Sequence, residues 1–221
     1  MYVDNFKKSA GFTKEVLVFL LEIMFPRDFN IESLDKILQT VHFTKKFLTI
    51  YYFFDYKNKI IKDSIWQLKF KNNKKVAILF GEILSQKIDE IIYSKKMNGS
   101  FMLIPVPIHK KRRVERGYNQ CEWLCESVVN SMKKNTPTKK INYEPKIIER
   151  IKYTEKQSWN GKNKRMSQLK KAFRVTDLIK IKNKKIILID DVTTTGSTIK
   201  EIHQTLLESG ASLVISITIA H

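Results

Sequence analysis

Two adjacent carboxylates close a run of branched apolar residues in IILIDDVTTTGST, residues 186–198. Asp190 and Asp191 sit where a buried strand should end. Val192, Thr193, Thr194, Thr195, Gly196, Ser197 and Thr198 then turn the chain into a helix beginning near Thr198. Backbone N–H groups at a helix start, with hydroxyl donors around them, suit a phosphate. Gly196 lets the backbone approach such an anion closely. The acids would repel phosphate, so their own partners must be sugar hydroxyls or a magnesium ion reached through water. Side chains alternate along a strand. Both acids can therefore face one ligand only if the chain leaves strand geometry between them. Phosphoribosyl pyrophosphate carries a phosphate, vicinal hydroxyls and a bound metal, and it satisfies every part of the pattern. No glycine-lysine pair follows, which excludes a Walker A loop.

A cationic group precedes this one. After FMLIPVP come His109, Lys110, Arg112, Arg113 and Arg116, with Gly117 permitting a tight turn. Bidentate phosphate recognition favours arginine over lysine, and Arg116 is the strongest candidate. The region Ile108–Arg174 holds 19 Lys or Arg against 6 Asp or Glu, a net of +13 within a chain of net +19. Such a block attracts nucleic acid, anionic lipid or polyphosphate. A solvated basic surface is the plainer alternative.

The elements that must position these groups follow from periodicity. Thr13–Phe25 reads as a helix stopped at Phe25–Pro26, and Asn30–Thr40 as a weaker one. Phe47–Tyr56, Phe101–Pro107, Pro145–Ile151, Lys185–Asp190 and Ala211–Ala220 read as strands. Asn58–Phe70, Lys75–Tyr93, Tyr118–Met132 and Ser197–Ser209 read as helices, the last stopped by Gly210. Lys133–Lys140 reads as a surface loop, and Gly161–Lys171 as a polar segment with partial helix. Strands alternating with helices argue for an α/β fold with a mainly parallel sheet. Ligands of such sheets bind at the carboxyl ends of the strands.

Cys121 and Cys125 lie one helical turn apart, which suits one buried helix face better than a metal site; a four-cysteine zinc site within the chain is excluded. No apolar run approaches the ~20 residues of a membrane-spanning helix, and no cleavage site follows the first apolar run. The expectation is a cytoplasmic protein, with peripheral association at the inner membrane left open. His203 and His221 show no partner in the sequence.

These motifs resemble a known family. IILIDDVTTTGST is similar to the phosphoribosyl-pyrophosphate signature of the type I phosphoribosyltransferases. LIPVPIHKKRRVERGYNQCEWL, residues 103–124, resembles the PVP…R…RG(F/Y)NQ segment of the ComF family, named for late competence proteins in DNA uptake. Residues 149–173 resemble its R…T..Q……R……AF stretch, with Arg150, Thr154, Gln157, Arg165 and Phe173 in place. IWQLKF, residues 65–70, is a weaker fourth match.

The resemblance implies a type I phosphoribosyltransferase-like domain over residues 47–221 behind a small helical N-terminal extension, residues 1–46. It implies phosphoribosyl pyrophosphate as ligand, carried with Mg²⁺ and no direct protein ligands to the metal. Asp190 and Asp191 take the catalytic positions. Val192 to Thr198, His109, Arg112, Arg116, Arg150, Gln157 and Arg165 take the substrate-binding ones. Residues 149–173 correspond to a flexible hood over the site, in which Trp159 could stack a base. A competence or DNA-processing role, with single-stranded DNA and the competence machinery as partners, stands beside two alternatives. One is an active salvage-type transferase acting on a nitrogen nucleophile; the other is a non-enzymatic DNA-binding module. Departures exist as well. No cysteine stands near Phe25–Pro26, where the family carries a four-cysteine zinc module, so that module is lost or replaced. Thr193 stands where the signature prefers an apolar residue, and Gln168 where asparagine is frequent.

Overall fold

A computed structural model of the chain describes residues 41–45, 48–135, 141–153 and 171–221. The expected helices before residue 41, most of the polar segment 161–171, and Thr154, Gln157, Trp159 and Arg165 lie outside the described residues.

Six strands form the main sheet: β1 (Val41–Lys45), β2 (Leu48–Phe54), β3 (Phe101–Pro105), β4 (Ile141–Tyr143), β7 (Lys185–Val192) and β8 (Leu213–Ala220). Their order is β1-β2-β8-β7-β3-β4, parallel throughout except for the β1–β2 hairpin. The centre of the sheet is β7 flanked by β3 and β8, the three most continuously apolar segments. A strand covered on both faces favours apolar residues throughout; ILIP and IILI provide them. LVISITIA does so except at Ser216 and Thr218, which are buried and hydrogen-bonded to His203 Nε2 and Ala220 O, respectively.

Alternation along β7 divides its side chains between two cores. Ile187 and Ile189 face a layer of α1 (Lys59–Phe70), α2 (Lys74–Ser94) and α4 (Gln120–Asn135). Ile186 and Leu188 face α6 (Ser197–Glu208), the short α5 (Leu178–Ile181) and a small antiparallel sheet of β5 (Ile148–Arg150) with β6 (Phe173–Val175). The short α3 (Lys110–Arg116) leads from the end of β3 toward α4. Among the described residues, no helix is long and apolar enough to cross a membrane.

The strand and helix expectations for residues 47–135 hold to within a few positions. Five short elements were not foreseen: β1, β4, β6, α5 and α3, the last standing where a basic loop was expected. Three of these run for only three or four residues, too short for a period to show. The ends of the expected hood are paired, Arg150 opposite Phe173 and Ile148 opposite Val175. Both C-terminal histidines have partners after all. His203 is buried with its Nε2 2.7 Å from Ser216 Oγ, and burial lowers its pKa to about 4. The His221 ring stacks on Tyr52 with centroids 4.9 Å apart.

The α2–α4 crossing depends on one glycine. A Cβ built on Gly81 would lie 2.2 Å from Ser127 Cβ, and nearby Ser85 and Ser131 share a buried hydrogen bond of 2.8 Å. Gly-to-Ala inside a helix ordinarily stabilises by about 0.5–1 kcal/mol. At this crossing the sign reverses, because overpacking costs roughly 1–3 kcal/mol. Urea unfolding of Gly81→Ala is expected to show that loss, whereas Ile78→Ala, on the exposed side of the same helix, stays within about 0.5 kcal/mol of wild type.

Candidate active site

The site lies at the carboxyl edge of β3 and β7. Strand β7 does not end before the acids but runs through Val192. The expected departure from strand geometry is therefore absent, and the two carboxylates separate by the pleat. Asp191 follows Ile187 and Ile189 toward the α1/α4 layer; Asp190 follows Ile186 and Leu188 toward the other. Their oxygens nonetheless come close at the strand tip, where one carboxylate oxygen of each and Cys121 Sγ lie within 4.8 Å of one another.

Asp191 is 3% exposed and fully engaged. Lys69 Nζ lies 2.9 Å from its Oδ1, and Gln120 Nε2 donates to its Oδ2 at 2.7 Å. Burial opposes the charge on Lys69, yet the carboxylates of Asp191 and, less strongly, Asp190 keep its pKa above the usual lysine value. Gln120 also accepts from Arg116. These neighbours orient the amide, because only its oxygen can face a guanidinium and only its NH₂ a carboxylate. Arg116, Gln120, Asp191 and Lys69 thus form one continuous polar chain across three helices and the central strand.

Asp190 has the opposite character. It keeps some solvent exposure, and its Oδ1 accepts from the Asp191 amide at 2.9 Å and from the Cys121 thiol at 3.5 Å. Desolvation, then repulsion from Asp191, pushes its carboxyl up to about 7, against the opposing pull of Lys69. The Cys121 thiol is raised by the same burial and by both acids. Across the cleft, Arg150 feels burial, then Arg112, both lowering its pKa, while Asp190 raises it.

The RGYNQ segment builds the other wall, and each residue has a local reason. Arg116 holds Gln120. Gly117 ends α3 at φ 83°, a left-handed conformation glycine adopts without strain. Tyr118 Oη donates to Leu68 O and accepts from the Asn72 amide, each at 3.1 Å. Asn119 donates to Val106 O at 3.0 Å and accepts from the Cys121 amide at 3.0 Å, tying the loop after β3 to the start of α4. Of the neighbouring cations, Arg113 pairs with Glu122, its Nη2 2.9 Å from Oε2. His109 caps α3 through Nδ1, and its ring lies 5.2 Å from that of Tyr153.

The threonine loop divides similarly. Thr193 is buried and its amide donates to Ala220 O at 3.0 Å, so it extends the wall of the strand. That burial accounts for the apolar preference of the signature at this position. Thr194 and Thr195 are exposed; Gly196, Ser197 and Thr198 keep partial exposure. Gly196 takes φ 69° as the N-cap of α6, and Thr195 Oγ1 lies 2.5 Å from Ser197 Oγ.

Lys69 was not singled out by the sequence. The available signal was its place in IWQLKF: Ile65 and Leu68 are core residues, which turns the following lysine toward the strand ends.

Removing Lys69 leaves a buried carboxylate with one neutral donor. Lys69→Met is expected to destabilise by roughly 3 kcal/mol, at the low end for a broken buried pair because 24% of the Lys69 side chain stays exposed. Lys69→Met/Asp191→Leu recovers a substantial part of that loss in chemical denaturation. Asp190 behaves differently with pH. Its folded pKa lies above the usual aspartate range, so its proton favours the folded state at low pH. That contribution is lost as pH rises through about 7. Asp190→Asn should therefore raise the melting temperature at pH 8 and have little effect at pH 5; equal shifts at both pH values would refute the burial of this charge.

Comparison with known proteins agrees with this geometry. Residues 132–221 match the family model described as phosphoribosyl transferase domain. The DNA utilization protein YhgH of Escherichia coli O157:H7 is 29% identical over 153 residues, 68% of this chain and 62% of that one. The competence protein ComFC of Bacillus subtilis is 28% identical over 159 residues, 72% of this chain and 58% of that one. The chain thus spans about three fifths of the length of the curated relatives it matches. A solved hypoxanthine phosphoribosyl transferase of Trypanosoma cruzi aligns at a TM-score of 0.39 and 12% identity, covering 66% of this chain and 64% of that one. That likeness is distant, and the fold assignment rests on the domain match and the sheet order. The fold is that of the type I phosphoribosyltransferases, and the chain resembles the ComF family of phosphoribosyltransferase-like proteins.

Proposed function

We propose that the chain binds phosphoribosyl pyrophosphate with Mg²⁺ at the carboxyl edge of β7, and that it acts in DNA uptake or processing. The single observation that carries the ligand is the partly exposed Asp190 beside a left-handed glycine at the start of α6. Asp190 accepts hydrogen bonds from the ribose hydroxyls. The backbone and hydroxyls of Thr194, Thr195, Gly196, Ser197 and Thr198 hold the 5′-phosphate, with Val192 and Thr193 as the supporting wall. Arg112, Arg116 and His109 face the pyrophosphate, while Arg150 closes the site from β5 and Gln157 and Arg165 contribute from the hood. Asp191 acts through position, held by Lys69 and Gln120.

The donor set fits a metal that arrives with its ligand. Magnesium requires oxygen ligands in octahedral geometry and keeps several waters; the nearest cluster offers a thiol, a carboxylate already paired with Lys69, and Asp190 alone. Asp190 would meet Mg²⁺ through water, and the metal would neutralise charge on the pyrophosphate. The residues also suit transfer to a nitrogen nucleophile, since stabilising a departing pyrophosphate is an electrostatic task. The division into an extension, residues 1–46, and a domain, residues 47–221, belongs to the same proposal, with β1 as an edge strand supplied by the extension.

The DNA role draws on the printed names of the relatives, competence protein and DNA utilization protein, and on the +13 block. Polyanion binding alone has no use for Asp190, which favours a nucleotide-sugar ligand over a purely nucleic-acid site.

Calorimetric titration of phosphoribosyl pyrophosphate with MgCl₂ into the full chain is expected to show saturable binding that Asp190→Asn weakens at least tenfold. Binding by wild type should also weaken as pH falls from 8 to 6, because Asp190 then carries a proton, while the variant shows a smaller pH effect. No binding by wild type, or equal binding by both proteins, sinks the ligand. In a host lacking the gene, wild type but not Asp190→Asn should restore transformation; restoration by both separates the DNA role from the ligand.

A further inference from the structure

Asp190 and Asp191 put two carboxylates at one strand tip, and an oxygen of each lies within 4.8 Å of the other and of the Cys121 sulfur. Adjacent acids repel one another, and a divalent cation between them is one relief. Here the fold supplies a cation of its own. Lys69 reaches from α1 to place its Nζ 2.9 Å from Asp191 Oδ1. Gln120 Nε2 takes Oδ2 at 2.7 Å.

The position of that ammonium decides what else can enter. Mg²⁺ sits about 2.0–2.1 Å from an oxygen ligand and holds an octahedral shell around itself. An ion bonded to Asp191 Oδ1 would stand against the ammonium already there, and two cations so close repel strongly where water is excluded. The Gln120 amide closes Oδ2 in a similar way, because its NH₂ group only donates. Asp191 is itself 3% exposed, which leaves no room for the water shell of a metal. Lys69, by contrast, keeps 24% of its side chain in solvent and lines the cleft beside the acids. Burial works against its charge, and the carboxylates of Asp191 and Asp190 outweigh that burial. The cation is thus part of the chain, and it reduces the charge of an ionised acid pair from two negatives to one.

We propose that Lys69 is the metal-specificity residue of this site: its ammonium holds the place of a metal ion on Asp191 and so shuts the acid pair to free divalent cations. A compact ammonium on a long apolar stem suits that place, since it carries charge into a buried site without a water shell of its own. One consequence is that a metal reaches Asp190 only as the companion of a bound diphosphate, which has already balanced part of its charge. That consequence rests on the phosphoribosyl pyrophosphate reading; the refusal of free metal does not.

The test adds MnCl₂ alone to the full chain and follows free Mn²⁺ by electron paramagnetic resonance, with thermal melts beside it. Wild type should show no saturable uptake that depends on Asp191, and no rise in melting temperature. Lys69→Ala removes the ammonium and opens its place to the cleft. It should bind one Mn²⁺ at least tenfold more tightly than wild type, and its melting temperature should rise with the metal. Lys69→Ala/Asp191→Asn should lose both gains. Lys69→Arg keeps a cation and should behave as wild type does. Should Lys69→Ala not fold alone, refolding it with MnCl₂ decides the matter: a recovered cooperative melt supports the exchange of ion for ammonium, and no recovery overturns it. A folded Lys69→Ala that binds Mn²⁺ no better than wild type overturns the proposal. So does a Lys69→Arg that binds as well as Lys69→Ala, or saturable uptake by wild type that Asp191→Asn abolishes. Titration of phosphoribosyl pyrophosphate with MgCl₂ separates the two readings. If wild type refuses free Mn²⁺ and never binds that ligand, the role of Lys69 stands and the ligand falls.

Discussion

The structure depends on a carboxylate that the pleat of β7 forces into the interior. A strand buried on both faces must send consecutive side chains to opposite sides, and Asp191 is sent among α1 and α4. Stripping a carboxylate of water costs several kcal/mol even after relaxation, so the helices must answer it. Lys69 answers with charge and Gln120 with a hydrogen bond. Each answer fixes an element: α1 cannot rotate without withdrawing Lys69, and α4 cannot slide without losing Gln120. Asn119, one residue earlier, ties the same helix start to the loop after β3. Satisfying one buried charge therefore aligns two helices and a loop around the strand tip.

That arrangement leaves Asp190 as the acid available to a ligand. Two adjacent aspartates look equivalent in sequence but differ by a strand face. One is 3% exposed and paired; the other keeps solvent contact and has a carboxyl raised to about 7. The elevated value follows first from burial and then from repulsion by the neighbouring carboxylate, against the opposing pull of Lys69. A carboxyl that titrates near neutrality is an adaptable hydrogen-bond partner, accepting when ionised and donating when protonated. The destabilisation it carries at high pH is of the kind that functional sites tolerate.

Much of this was legible in the sequence because the decisive patterns are local. Four apolar residues before two acids, then TTTGST, mark a strand, a turn and a helix start, and β7, the αL Gly196 and α6 occupy those places. The RGYNQ segment likewise encodes a helix stop at Gly117 and a helix start at Asn119. Lys69 was harder to see. It stands 121 positions before Asp190 in a helix whose polar residues all look like solvent contacts, and its role exists only once α1 packs over the strand ends. Short elements such as β4 and β6 escaped for a related reason: three residues show no period, and their pairing is decided by strands elsewhere.

The same dependence on distant packing explains how one basic segment serves several ends. Arg113 is tied to Glu122 and stabilises the α3–α4 corner, whereas Arg116, three residues on, reaches Gln120 and the Phe70 ring. A helix turn of 3.6 residues places them on nearly the same side of α3, yet Gly117 ends the helix immediately after Arg116 and frees that side chain to turn inward. Charge counts along the sequence treat these arginines alike. Only their partners distinguish them: Glu122 neutralises Arg113, whereas Arg116 meets the neutral amide of Gln120. The positive charge that remains for a ligand is therefore set less by how many arginines the segment holds than by which acids the fold brings within reach of each.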